Sequence, residues 1–137
     1  MSDKKTLTFC LMDAPFENGR STTALRLLDI AAKKGHNVNV FAYEGAVGLT
    51  FTKQSGHPNK VHGHDVEQED HPLTHEWIDS VAAVAKEKGA EFNWINCGLC
   101  VDERGMHEAL PFTKRGTPGD LHNWSIESDN TLVIATR

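Results

Sequence analysis

An alternation of short strands and helices is the pattern that most constrains the fold of this chain. Residues 6–12 and residues 37–42 each carry apolar side chains at alternate positions, which predicts two strands. Between them, residues 21–34 have apolar side chains at helical spacing, and Gly35 stands where a glycine commonly ends a helix. A strand, a helix and a strand in about forty residues form one βαβ unit, so we expect parallel pairing.

The rest of the chain continues this alternation. The sequence predicts a short helix or turn over 44–53, a helix over 72–88, a strand over 92–96, a short helix over 102–110, a loop over 112–118, a helix over 119–127 and a last strand over 131–135. The last run is apolar on both faces, which favours an interior strand. We therefore expect one α/β domain spanning residues 1–137, a three-layer α/β/α sandwich with a mostly parallel sheet of about five strands.

Composition and charge exclude several classes of function. The net charge of −5 argues against nucleic-acid binding, and the pair Lys114-Arg115 is interpreted as loop or helix-end charges. No apolar run approaches the ~18 residues of a membrane span, and the polar start is not a signal peptide. Three cysteines, an odd number, favour a reducing compartment, so we expect a cytoplasmic protein that contacts no membrane.

The compact chemical signal is the run 97–100, Cys-Gly-Leu-Cys, between a predicted strand and a predicted helix. Carboxyl ends of parallel strands open onto ligand crevices. A cysteine at a helix start lies near unpaired backbone N–H groups, which favour the thiolate, and Arg104 adds to that effect while Asp102 and Glu103 oppose it. These residues predict nucleophilic or sulfur-carrying chemistry. The glycine-rich nucleotide motifs are missing from the sequence, so we expect no organic cofactor.

One spacing is more specific than the cysteine pair, since six residues separate Cys97 from Arg104-Gly105. Further features are Gly19 in the first loop, the helix end at 34–36 followed by a strand, and Trp124 before the last strand. Over most of its length the chain thus resembles the DsrE/TusD-like (DsrE/DsrF-like) family of sulfur-relay proteins.

The resemblance implies a DsrEFH-like fold and a sulfurtransferase or sulfur-carrier function. In that family the cysteine at this position accepts a persulfide sulfur from a donor and passes it on, which would make Cys97 the sulfur-accepting residue. Arg104 would neutralise charge on the persulfide or steer an acidic partner. The implied partners are sulfur donor and acceptor proteins or small persulfides, and the implied assembly is a homo-oligomer, a trimer or hexamer.

Cys100 is not required by the relay pattern and leaves two alternatives open. Cys97 and Cys100 together suit a thiol–disulfide oxidoreductase, although thioredoxin-like domains place such a pair beside the first strand–helix corner. Alternatively, Cys100 attacks a persulfide on Cys97 and releases hydrogen sulfide. The third cysteine, Cys10, is expected to pack as a small apolar side chain.

The segment 54–71 is predicted to be irregular and is rich in histidine. Its length suggests a functional loop, either a metal-binding or interaction module or a cover for Cys97 that supplies a histidine as proton donor. His62 and His64 are weak metal-ligand candidates, because their spacing matches no closed structural site. The candidate histidines of this region and its surroundings are His57, His62, His64, His71, His75 and, beside Arg104-Gly105, His107.

Overall fold

Within residues 3–69 and 72–136, which a computed structural model describes, the chain alternates strands and helices. The elements are β1 (Thr6–Leu11), α1 (Gly19–Lys33), β2 (Asn37–Ala42), a 3₁₀ helix (Glu44–Thr50), α2 (Val66–Glu69), α3 (Thr74–Glu87), β3 (Phe92–Cys97), α4 (Gly98–Arg104), β4 (Lys114–Gly116), α5 (Pro118–Glu127) and β5 (Asn130–Ile134). The described strands form one parallel sheet in the order β4-β3-β2-β1-β5. The predicted α/β fold with a parallel sheet is confirmed.

Helices cover both faces of the sheet, because side chains of each strand alternate between the faces. Leu7 and Phe9 of β1 lie beside α1, and α1 packs against α3. Thr8 points to the opposite face, where its hydroxyl hydrogen-bonds that of Ser128, the residue that follows α5. No helix in the described part of the chain is long and apolar enough to cross a membrane.

The core lies between the sheet and the α1–α3 layer. Leu25 and Leu28 of α1 and Ile78 and Val81 of α3 have 0–1% of their surface exposed. Each such side chain contributes about 1.5–3 kcal/mol through burial. The other face is more polar, since Asn93 donates to Asn39 at 3.0 Å.

Asn96, one residue before the end of β3, ties the strand to the 3₁₀ helix. The Trp94 indole N–H donates to Asn96 Oδ1 at 2.9 Å, and Asn96 Nδ2 donates to Thr50 Oγ1 at 3.1 Å. All three residues are buried. Buried polar groups need such partners, so this network fixes where β3 ends relative to its neighbour.

The prediction that the last strand is interior is wrong. Among the described strands, β5 pairs with β1 alone and forms an edge of the sheet. Leu132 and Val133 remain 43% and 54% exposed. Alternation along a strand records which faces are apolar, and it carries no information on whether a second strand lies alongside.

Several element boundaries also differ from the predictions. Helix α4 begins at Gly98 rather than at residue 102 and ends before Gly105, whose φ of 65° suits glycine. The predicted loop 112–118 contains β4, which is too short to show alternation. Helix α1 begins at Gly19 because the side chain of Asn18 caps it, accepting from the Arg20 amide at 2.7 Å.

The segment 54–71 is mostly irregular, as predicted, although it contains the single helical turn α2 and an antiparallel bridge between Asn59 and His64. Helix α3 begins at Thr74 rather than at residue 72. Asp70 and His71 lie outside the described residues.

Asn96→Ala should lower the free energy of unfolding by about 2 kcal/mol, because it leaves the Trp94 N–H and the Thr50 hydroxyl buried without their partner. Chemical denaturation measures this change. The matched control is Asn123→Ala on the exposed surface of α5, which should change stability by no more than about 0.5 kcal/mol. Equal stability of the two variants would contradict the role of the network.

Candidate functional site

Cys97 is both the last residue of β3 and the N-cap of α4. The strand runs between β2 and β4, and Cys97 stands opposite Gly116 of β4. Its side chain lies at the carboxyl edge of the sheet with only 5% of the residue exposed. The sequence predicts Cys97 at a strand-to-helix corner, and the structure shows it at that position.

Cys100 lies one turn further along, at the third residue of α4, and is equally buried. Cys97 lies three residues before Cys100, near enough to raise its pKa, and the backbone N–H of Glu44 donates to Cys100 Sγ at 3.1 Å. All three cysteines are free thiols. The two thiols therefore lie one turn apart at the start of α4, and the first residue of the 3₁₀ helix contacts Cys100.

Burial is the main reason that the pKa of Cys100 lies above its ordinary value, and the neighbouring Cys97 raises the pKa further. The Glu44 N–H and the positive charge of Arg104 act in the opposite direction but do not reverse the shift. Burial alone raises the pKa of Cys10 to about 11, and Cys10 packs in the core. At neutral pH, Cys100 and Cys10 are therefore held as thiols.

Arg104 lies at the other end of α4 from Cys97. Its Nη1 donates to the carbonyl of Cys100 at 3.3 Å and to Glu103 Oε2 at 3.3 Å. The carboxyl end of the helix is capped by backbone groups instead, because the N–H groups of Gly105 and Met106 donate to its last carbonyls. The positive charge of Arg104 thus acts to lower the pKa of Cys100. The hydrogen bonds of Arg104 are made to oxygen atoms rather than to the Cys100 sulfur.

Arg115 is a functional candidate that sequence reasoning missed. From β4 its guanidinium reaches both carboxylate oxygens of Asp102 at 2.9 Å, and Nη2 also donates to the Gly98 carbonyl at 3.2 Å. Asp102, with a smaller contribution from Cys97, raises the pKa of Arg115, and Arg115 lowers that of Asp102. Arg115 was predicted to be a loop or helix-end charge, because β4, the strand that brings it beside β3, has only three residues.

Glycine at position 98 permits this approach. A side chain there would begin 3.2 Å from Arg115 Nη2, closer than ordinary van der Waals contact. The guanidinium consequently lies against the first turn of α4, next to Cys97.

A polar cavity of about 530 Å³ opens at the carboxyl ends of β1 and β5. The strand order changes direction between these strands, and open α/β sheets commonly bind ligands at such a point. Arg104 and Glu44 line the cavity on the side of Cys100, and Arg20 lies beside the buried Asp13, 3.4 Å from its Oδ2. The cavity is thus adjacent to the backbone that contacts the cysteine pair.

His62 and His64 make contacts within the segment 54–71. His62 and His64 lie with ring centroids 6.1 Å apart, and His64 Nδ1 is 3.1 Å from Glu69 Oε2. Within residues 3–69 and 72–136, no group of three or more metal-binding side chains is positioned to hold an ion. In the same ranges, no hydrogen bond links His62, His64 or His75 to Cys97 or Cys100.

His107, in contrast, follows α4, and its Nδ1 is 4.0 Å from Asp102 Oδ1. It therefore lies on the outer side of the Arg115–Asp102 pair, on the surface. The candidate His71 falls outside the described residues.

Fold and site together define an α/β protein with a buried thiol pair at a strand end. The model of the DsrE/DsrF-like family matches residues 5–134, and the chain belongs to this family. An uncharacterized protein of Methanopyrus kandleri, MK0008, is 30% identical over 130 residues, covering 93% of each chain. The crystal structure of the ychN protein from E. coli superimposes with a TM-score of 0.69 at 16% identity, covering 95% of this chain and 99% of that one.

Alkylation of Cys100 should accelerate steadily as the pH rises from 7 to beyond 9, because a raised pKa leaves little thiolate at neutral pH. Iodoacetamide labelling, followed by mass mapping of the peptide that carries Cys100, measures this profile relative to glutathione. A labelling rate that stops rising at or below the pH at which glutathione levels off would contradict the raised pKa.

Proposed function

We propose that this protein is a sulfur carrier that accepts a persulfide sulfur on Cys97 and passes it to a partner protein or thiol acceptor. The observation that carries the proposal is the position of Cys97, at the end of β3 beside the Arg115 guanidinium. Membership of the DsrE/DsrF-like family supports a role related to sulfur relay.

Both transfers are thiol exchange reactions. The Cys97 thiolate attacks the outer sulfur of a donor persulfide, the donor leaves as a thiolate, and Cys97 carries the sulfur as a new S–S bond. An acceptor thiolate then attacks that outer sulfur and restores the Cys97 thiolate. Arg115 favours the charged persulfide because its positive charge is held against the first turn of α4.

Donor and acceptor would approach from the outer surface of α4. Leu99, between the two cysteines, is 68% exposed and offers an apolar contact to a partner protein. Small persulfides would instead enter the polar cavity lined by Glu44 and Arg104. Free cysteines fit a reducing compartment, and we place this relay in the cytoplasm.

Self-association is a further part of the proposal. The edge strand β5 exposes Leu132 and Val133, and Ile30 of α1 is 50% exposed beside it. Apolar side chains on an unpaired strand edge favour contact with a second copy of the chain. Light scattering on the wild type and on Leu132→Lys tests this, and a wild type that is monomeric at high concentration would contradict it.

Incubation with polysulfide should add the mass of one sulfur atom to the wild type and not to Cys97→Ser. Intact mass spectrometry after removal of excess polysulfide measures the increment. Cys10→Ser is the matched control and should load like the wild type, because burial raises the pKa of Cys10 to about 11 and keeps it a thiol at neutral pH. Equal loading of wild type and Cys97→Ser would end the assignment of Cys97 as the carrier.

Arg115→Met should slow loading by about two- to fivefold, because the guanidinium is half exposed and solvent screens its charge. Single-turnover loading rates across a range of pH measure this effect, and Arg115→Lys should recover part of the rate. Lys114→Met, the neighbouring exposed cation on β4, is the matched control. An identical pH profile in Arg115→Met and the wild type would contradict an electrostatic role.

A further inference from the structure

We propose that Cys100 discharges the Cys97 persulfide by attacking its inner sulfur, which releases hydrosulfide and leaves a Cys97–Cys100 disulfide. The inference rests on the proposed function, since it needs a persulfide on Cys97. It adds a second outcome for the carried sulfur, namely reductive release as sulfide in place of transfer to an acceptor.

The geometry of α4 allows this bond to form. Cys97 is the N-cap and Cys100 the third residue of the same helix, so their side chains belong to the same first turn. Helical geometry separates Cα atoms three residues apart by about 5 Å, inside the range of about 4.4–6.8 Å that disulfides occupy. The exchange thus needs rotation of the side chains rather than movement of the backbone.

Burial favours this intramolecular reaction over attack by an external thiol. Both cysteines are only 5% exposed, so Cys100 is the nucleophile nearest to the inner sulfur. A nucleophile that is held near its target reacts much faster than the same nucleophile free in solution. The inner sulfur is also the less accessible of the two to an acceptor, which would take the outer one.

The surroundings of Cys100 restrain the reaction at neutral pH. Burial and Cys97 keep the thiol protonated, against the smaller effects of Arg104 and the Glu44 N–H. Glu44 has a φ of 51°, in the left-handed region, and its N–H is aimed at Cys100 Sγ. Because the thiol is held protonated, discharge is slow enough for the persulfide to persist until transfer, and the Glu44 N–H stabilises the negative charge on Cys100 Sγ as its proton passes to the leaving sulfur.

The step is balanced without a co-reactant. A Cys97 persulfide anion and the Cys100 thiol give the disulfide and hydrosulfide: the persulfide S–S bond breaks, the Cys97–Cys100 S–S bond forms, and the thiol proton leaves on the hydrosulfide. Over loading and discharge together, the sulfane sulfur gains two electrons and the two cysteines lose two. A dithiol reductant then restores both thiols for another cycle.

The test compares the wild type with Cys100→Ser, and with Cys100→Ala as a second variant in case the serine perturbs folding. Each protein is loaded with polysulfide, freed of excess reagent and incubated without oxygen. Released sulfide is measured, and intact mass after alkylation counts the remaining thiols. The wild type should release its sulfur as sulfide and lose two alkylatable thiols, and both variants should retain the sulfur at least about tenfold longer.

Release from the wild type should change little between pH 7 and pH 8, because the proton that Cys100 loses is the one that the leaving hydrosulfide takes. Cys10→Ser is the matched control and should discharge like the wild type. Release at the same rate from Cys100→Ser and Cys100→Ala as from the wild type would overturn the inference while leaving the carrier function intact. Transfer of the sulfur to Cys100 without release of sulfide would overturn the inference in the same way.

Failure of the carrier function itself has a different signature. If Cys100→Ser and Cys100→Ala acquire no sulfur on Cys97, the proposed function and the inference both fail. A wild type that forms the disulfide with a chemical oxidant but never carries sulfur would be a thiol–disulfide oxidoreductase, which overturns both as well.

Discussion

The structure of the candidate site depends on one buried amide, that of Asn96. It accepts from the indole of Trp94 and donates to Thr50, so it joins β3 to the end of the 3₁₀ helix. The Thr50 carbonyl in turn accepts from the backbone of Leu110, beyond α4. Strand end, 3₁₀ helix and the segment after α4 are thereby held together, and Cys97 is the next residue along the chain.

This arrangement gives Cys97 and Cys100 different surroundings although they lie only three residues apart. Cys97 ends the strand on the side of β4, where Arg115 lies across the first helical turn. Cys100 faces the Glu44 N–H on the opposite side, in surroundings that raise its pKa. The start of one short helix thus places two equally buried thiols in different electrostatic surroundings.

The fold and the place of Cys97 were predictable from the sequence because they depend on local patterns. Alternation in β1 and β2 and the helical spacing between them required a parallel sheet, and a cysteine directly after a strand falls at its carboxyl edge. Arg115 was not predictable, since its role depends on β4, and three residues are too few to show a period. The edge position of β5 depends on pairing partners, which alternation does not encode.

Burial of Cys97 and Cys100 also limits the rate at which external reagents can react with these thiols. Cys97 is only 5% exposed, so its reaction with a large reagent depends on the fraction of molecules in which local opening has exposed the thiol. Each 1.4 kcal/mol of opening free energy lowers that fraction about tenfold. For the proposed carrier, the loading rate at high donor concentration would then be limited by this exposure, and substitutions in the packing around α4 would change that rate while leaving both cysteines in place.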